Sequence, residues 1–188
     1  MTRALALTDQ NVATIAARIT RPVVLVGLMG AGKSTVGRRL AALLKRDFVD
    51  ADDAIAEAAG RSIPEIFETF GEAYFRDGER RVIARLMDEA HGVIATGGGA
   101  FVNPDTRALI LERGIAVWID CPVETLVERT AKRTNRPLLQ NADPREVLSR
   151  LARERTPFYA EAPIRVLSEN GPHADTARAI LEAIDQWL

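Results

Sequence analysis

Eight consecutive residues, Gly27-Leu28-Met29-Gly30-Ala31-Gly32-Lys33-Ser34, match the pattern of a glycine, four free positions and then Gly-Lys-Ser in full. Glycines let the backbone curl with its N–H groups inward. Those donors, with the N-terminus of a following helix, form an anion site. A lysine at that place reaches the β- and γ-phosphates of a nucleoside triphosphate, and the next hydroxyl suits Mg²⁺. Gly30, Ala31, Gly32, Lys33, Ser34 and Thr35 are therefore expected to cradle a nucleotide, with Ser34 as a metal ligand. A chance glycine-rich turn would not need a strand before it and a helix after it, and both are predicted here. The motif is silent on what receives the phosphoryl group.

Further along come two carboxylates at i and i+2 in Phe48-Val49-Asp50-Ala51-Asp52. If the backbone is extended there, both point to one side, toward the mouth of the phosphate loop. One could hold the metal through water and the other bind an acceptor hydroxyl. Aspartates also commonly cap helices, so both readings stand. Thr96-Gly97-Gly98-Gly99 follows another apolar run, where glycines allow a ligand close to the backbone. Three arginines complete the set. Arg76 has Glu79 one turn on, an i,i+3 pair that could hold it in place. Arg136 lies in a weakly structured stretch, and Arg155 is expected to end a helix before Thr156-Pro157-Phe158-Tyr159. Guanidinium groups suit carboxylate and phosphate bidentately, although most arginines are solvated surface charges.

The elements that must position these residues alternate. Short apolar runs at Pro22–Val26, Phe48–Val49, Val93–Ala95, Ala116–Ile119 and Ile164–Leu167 read as buried strands. Helices are predicted from Gln10 to Ile19, from Lys33, from a cap at Asp52 or Asp53 through Ala59, and from the capping box Ser62-Ile63-Pro64-Glu65. Others span Glu72 to Glu89 and begin at Pro104, Pro122 and Pro144, and one closes the chain. Strands alternating with helices imply a five-stranded parallel sheet in a three-layer α/β/α arrangement, with ligands at the carboxyl ends of the strands. Residues 1–20 read as an N-terminal extension, 21–188 as a single domain, and the stretch around 129–143 as a lid.

Composition narrows the classes. The chain has 188 residues, 25 basic against 26 acidic, a formal net charge of −1 and one cysteine, Cys121. That balance gives no general attraction to nucleic acid or to an anionic membrane. One cysteine excludes a disulfide framework, and no stretch approaches the roughly 20 apolar residues that span a bilayer. A cytoplasmic protein is expected. His91 and His173 read as surface residues, Cys121 as a small buried residue and Trp118 as core.

Taken together, the residues closely resemble the shikimate kinases. The match runs through GLMGAGKSTVGRRLA, FVDADDAI, IPEIFETFGEAYFRDGE, VIATGGGAF, the RPLL of the lid and RERTPFYAEAP, in the family's order and spacing over roughly residues 22–185. The resemblance implies a P-loop fold like that of nucleoside-monophosphate kinases, with ATP as co-substrate and Mg²⁺ as cofactor. It implies transfer of the γ-phosphoryl of ATP to the 3-hydroxyl of shikimate. Asp52 would contact shikimate hydroxyls and could act as base, and Asp50 would stand behind Mg²⁺. Arg76 and Arg155 would clamp the shikimate carboxylate, and Gly97, Gly98 and Gly99 would line the acceptor site. Arg136 would reach the ATP phosphates from the lid, while Arg129 and Pro172 would flank the adenine. A monomer is expected. The nearest rival is another small-molecule P-loop kinase, such as one for gluconate. A nucleotide-dependent switch is a second, but the N-K-x-D motif of a GTPase is absent from the sequence.

Overall fold

The computed structural model describes residues 8–89, 92–131 and 143–188. Its element order is α1 (Asp9–Arg18), β1 (Val23–Val26), α2 (Lys33–Leu44), β2 (Phe48–Asp50), α3 (Ala51–Ala59), α4 (Ile63–Glu89), β3 (Val93–Ala95), α5 (Pro104–Arg113), β4 (Ile115–Asp120), α6 (Val123–Ala131), α7 (Pro144–Tyr159), β5 (Ile164–Leu167) and α8 (His173–Trp187). The five strands form one parallel sheet in the order β2-β3-β1-β4-β5. All four side chains of β1 are fully buried, as are those of β3. Successive strand side chains point to opposite faces, so helices cover both faces of the sheet centre, as the apolar runs implied. β5 alternates buried and exposed, which suits its edge position.

Parallel pairing brings every strand's carboxyl end to the same edge of the sheet. Leu25 pairs with Ala95, and Asp50 pairs with Ala95 from the other side. The loops after β1, β3 and β2 therefore leave the sheet side by side. Those loops carry the phosphate motif, the glycine run and the aspartates.

Several boundaries differ from expectation. Asp50, rather than Asp52 or Asp53, is the N-cap of α3. Asp50 ends β2 and Asp52 already sits in the first helical turn, so the two do not form an extended i,i+2 pair. α7 does not stop at Arg155 but runs through Pro157 to Tyr159. Pro157 cannot donate to the carbonyl of Arg153 and its ring crowds that carbonyl, yet only Phe158 and Tyr159 of the helix follow it, so little helix lies beyond the distortion. The expected break between two helices after the Ser62 box is present within α4, where Gly71 is non-helical at φ 80°, ψ 174°. The box itself forms: the Ser62 backbone N–H donates to Glu65 Oε2 at 2.8 Å. α1 is packed rather than frayed. Ile15 and Ile19 join the main apolar core, Arg46 donates to the Ala16 and Ile19 carbonyls, and Arg18 pairs with Asp185 of α8. No helix among the described residues is long and apolar enough to cross a membrane.

Candidate active site

The phosphate loop adopts the conformation that its glycines permit. Gly27, Gly30 and Gly32 have φ of 138°, 84° and 92°, a region where a side chain is strained. Gly32 is the N-cap of α2, so the helix N-terminus opens into the loop. Lys33 is buried and curls back over the loop, its Nζ donating to the carbonyls of Gly27 at 2.8 Å and Leu28 at 2.9 Å.

Both readings of Asp50 are realised at once. Its Oδ1 accepts the Asp52 backbone N–H at 3.1 Å and so caps α3. Its Oδ2 accepts the Ser34 hydroxyl at 2.6 Å. A hydroxyl and a carboxylate side by side are hard oxygen donors of the kind Mg²⁺ prefers. Among the described residues, no group of three or more His, Cys, Asp or Glu side chains could hold a metal by itself. The Ser34–Asp50 pair fits a cation that takes its other ligands from nucleotide phosphates and water.

The glycine run is the hub of the other half. A Cβ on Gly97 would lie 2.7 Å from Asp52 Oδ1. On Gly98 it would lie 3.4 Å from Arg155 Nη1 and 3.5 Å from the Met29 backbone nitrogen of the phosphate loop. On Gly99 it would collide with the Arg76 guanidinium, 2.8 Å from Cζ. Three successive glycines thus leave room for Asp52, Arg155 and Arg76 in turn. The root of the run is fixed by Thr96, which is buried and donates its hydroxyl to the Leu25 carbonyl of β1 at 3.0 Å. A cleft of about 480 Å³ opens beside it, lined by Arg76, Arg155, Gly99, Glu72, Val102 and Asn103.

Electrostatics tie the halves together. Burial pushes the Asp52 carboxyl above its ordinary value, and the neighbouring Asp50 charge adds to that; Lys33 and Arg76 pull the other way. Asp52 thus feels a cation from each half. Burial also raises Glu79, outweighing the Arg76 guanidinium that donates to it. Glu79 is 1% exposed and accepts from Arg76 Nη1 at 2.7 Å, so the expected i,i+3 support is present and buried.

On the nucleotide side, Arg129 joins the phosphate loop to the segment after β5. Its guanidinium donates to the carbonyls of Ala31 at 3.3 Å and Glu169 at 2.6 Å and to Ser168 Oγ at 3.3 Å. Pro172 is the N-cap residue of α8, next to a shallow cleft of about 450 Å³ lined by Pro122, Thr125, Glu169, Asn170 and Gly171. His173 is not a surface residue. It is half-buried, and its ring comes within 3.0 Å of the place a Gly32 Cβ would take. Cys121 is buried and its thiol is pushed up to about 11, mainly by desolvation, which agrees with an inert residue. Arg136, His91 and most of the expected lid lie outside the described residues.

Sequence reasoning missed three contributors. Tyr159 donates its hydroxyl to the Gly98 carbonyl at 2.5 Å. Arg107 of α5 holds the end of the glycine loop through the Phe101 carbonyl at 3.1 Å and the Val102 carbonyl at 2.9 Å, and pairs with Glu161 at 3.0 Å. His173 is the third. Tyr159, His173 and the Arg107–Glu161 pair act across long sequence separations, for which spacing carries no signal, whereas the Arg107 contacts to Phe101 and Val102 are local.

Comparisons with known proteins agree with this geometry. A family model described as shikimate kinase matches residues 29–185. A shikimate kinase of Novosphingobium aromaticivorans is 61% identical over 186 residues, covering 97% of this chain and 96% of the relative. A solved shikimate kinase of Acinetobacter baumannii in complex with shikimate superposes with a TM-score of 0.85 at 42% identity, covering 92% of this chain and 97% of that one. A gluconokinase of Sinorhizobium meliloti shares the fold at a TM-score of 0.62, with 17% identity over 90% of this chain and 94% of that one.

Proposed function

The chain belongs to the shikimate kinase family, and from this premise we propose how its own residues divide the work. The reaction is transfer of the γ-phosphoryl of ATP to the 3-hydroxyl of shikimate, giving shikimate 3-phosphate and ADP on the way to chorismate and the aromatic amino acids. One observation carries the residue assignment: Asp52, Arg155 and Arg76 converge on Gly97, Gly98 and Gly99 within van der Waals reach of the phosphate loop.

Arg76 and Arg155 clamp the carboxylate of shikimate, since two guanidinium groups beside one cleft suit a small carboxylate. Asp52 and the glycine backbone orient the hydroxyl end. The transition state of phosphoryl transfer is loose, so positioning and charge neutralisation supply most of the catalysis. Asp52 therefore orients first and accepts a proton second, and its raised pKa makes it a better acceptor than an ordinary aspartate. Lys33 is proposed to exchange the Gly27 and Leu28 carbonyls for the β- and γ-phosphates, and Arg136 to reach the same group from the lid.

Mg²⁺ would be held by Ser34, with Asp50 behind it, and when bound it neutralises charge on the phosphate oxygens. Gly30, Ala31, Gly32 and Thr35 cradle the phosphates, and Arg129 and Pro172 border the adenine. We further propose that residues 21–188 act as one kinase domain, with a lid around 129–143 that excludes water. The protein is assigned to the cytoplasm as a monomer that engages neither nucleic acid nor membrane, in keeping with the net charge of −1.

A coupled ADP-release assay offering shikimate and gluconate separately tests the reading. Turnover that depends on shikimate is expected, with no stimulation by gluconate. The reverse result, or ATP hydrolysis that neither compound accelerates, would overturn it.

A further inference from the structure

We propose that Tyr159 is a positioning residue for the acceptor: its phenol holds the Gly98 peptide beside which the Arg155 guanidinium lies. The proposal rests on the assignment of Arg155 to the carboxylate of shikimate.

Tyr159 lies four residues after Arg155 on α7, so the two side chains share one helix face. This face exists because the helix continues through Pro157. The Tyr159 side chain is 1% exposed, and its ring lies against Trp118 of β4 with centroids 6.0 Å apart. That packing leaves the ring little freedom and aims the hydroxyl at the glycine run. The hydroxyl donates to the Gly98 carbonyl at 2.5 Å, across 61 residues of sequence. The Arg155 guanidinium lies beside the same peptide, its Nη1 3.4 Å from the place a Gly98 Cβ would take.

A phenol has one proton to give and lone pairs to accept with. Here the proton goes to the neutral Gly98 carbonyl, and the Arg155 guanidinium stands on that same peptide. Burial holds the phenol protonated by pushing it up to about 12, with Arg155 and Arg76 pulling back. It therefore stays a donor through the working pH range.

The consequence lies in the peptide plane. A trans planar peptide sets the Gly99 N–H antiparallel to the Gly98 carbonyl. Fixing that carbonyl on Tyr159 fixes which way the next N–H points. Glycine has no side chain to set its own backbone, so a run of three needs an external anchor. Thr96 anchors the start of the run and Arg107 its end, and Tyr159 anchors its middle. Tyr159 thus acts on the substrate only through Gly98 and Arg155.

The test is steady-state kinetics of Tyr159→Phe, Arg155→Ala and the double variant, with ADP–Mg²⁺ affinity measured alongside. Tyr159→Phe keeps the ring on Trp118 and removes only the oxygen. The KM for shikimate is expected to rise about five-fold, as for loss of a hydrogen bond between neutral groups. The KM for ATP and the affinity for ADP–Mg²⁺ should change less than about two-fold. In the Arg155→Ala background the same change should add less than about two-fold, because two residues acting through one contact are not additive. An unchanged shikimate KM, equal rises in both KM values, additive effects in the double variant, or lost ADP–Mg²⁺ binding would each overturn the proposal. Absence of shikimate turnover in the unmodified protein would instead overturn the family assignment of Arg155 on which it rests.

Discussion

Arg76 donates to Glu79 at 2.7 Å, and of this pair only the arginine reaches the cleft: its side chain is 21% exposed against 1% for the glutamate. Glu79 is the buried post on which a substrate-facing cation is mounted. Removing the cation therefore does more than weaken binding. Arg76→Ala leaves a buried carboxylate without its partner, a loss that costs about 3 kcal/mol at neutral pH. Burial already holds the Glu79 pKa above its ordinary value, and loss of Arg76 raises it further. A raised carboxylate pKa favours the protonated folded state, so the penalty is absent below the ordinary glutamate value and grows as pH rises through the folded one. Urea unfolding of Arg76→Ala at pH 5 and pH 8 should show the larger deficit at pH 8. A deficit independent of pH would mean that Glu79 does not depend on Arg76.

Asp52 shows the same sign without a close ion pair. Burial and the Asp50 charge make its ionised form a cost to folding. Stability associated with the protonated form is complete below about 3.8, its ordinary value, and is lost as pH rises through the raised one. Asp52→Asn removes that cost. It should raise the Tm by roughly 2–4 °C at pH 7.5, with a smaller gain near pH 4.5. Turnover should fall about 100-fold or more if Asp52 also accepts the proton. A lower Tm at pH 7.5 would contradict the electrostatic account.

Asp50 serves two partners with two oxygens, and two substitutions separate them. Asp50→Asn can keep the Oδ1 cap of α3 but places a neutral group behind Ser34. The Mg²⁺ concentration for half-maximal turnover should rise about ten-fold, with little change in Tm. Asp50→Ala should do the same and also lose about 1 kcal/mol of stability with the cap. An unaltered Mg²⁺ requirement in both variants would reduce Asp50 to a helix cap.

Cys121 should not react with iodoacetamide in the folded protein at pH 8. It is 8% exposed, and its thiol, at about 11, holds almost no thiolate there. Mass spectrometry of native and urea-unfolded protein checks this, with labelling expected only after unfolding. Rapid native labelling would show that the segment after β4 opens.

Glu72 reaches toward Arg76 at 3.4 Å from a side chain that is 70% exposed. Such a contact is long and solvated, worth at most about 1 kcal/mol. It places an internal carboxylate on the cation proposed to take the substrate's. Glu72→Gln should lower the KM for shikimate, by up to about five-fold. A higher KM would mean that Glu72 helps the substrate rather than competing with it.

The strands, their parallel order of function and the phosphate loop are legible in the sequence because they rest on local rules. Four buried residues in β1, the glycines after it and Lys33-Ser34 at the helix start are contiguous in the chain. The Ser62–Glu65 box and the Arg76–Glu79 pair lie within one helical turn, so spacing alone places them. Where α3 begins and where α7 ends was less accessible. Asp50, Asp52 and Asp53 can all cap a helix, and only pairing of β2 with β3 keeps Asp50 extended and makes it the cap. Pro157 suggests a stop, yet the helix continues to Tyr159.

The sequence determined by itself that the chain carries a triphosphate-binding loop, two aspartates, a glycine run and a set of arginines in an order that resembles one enzyme family. Tertiary structure decided that they meet. Sheet order puts β2 and β1 on either side of β3, so loops distant in sequence leave one edge together. The space beside Gly97, Gly98 and Gly99 is then filled by Asp52, Arg155 and Arg76, contacts that no spacing rule could supply. The roles of Tyr159 and His173 and the Arg107–Glu161 pair belong to the same class. Burial, which raises Asp52 and Glu79, exists only once the core has closed around them. Local patterns are set by the covalent chain, whereas convergence and desolvation are properties of packing, and the chemistry of this site depends on both.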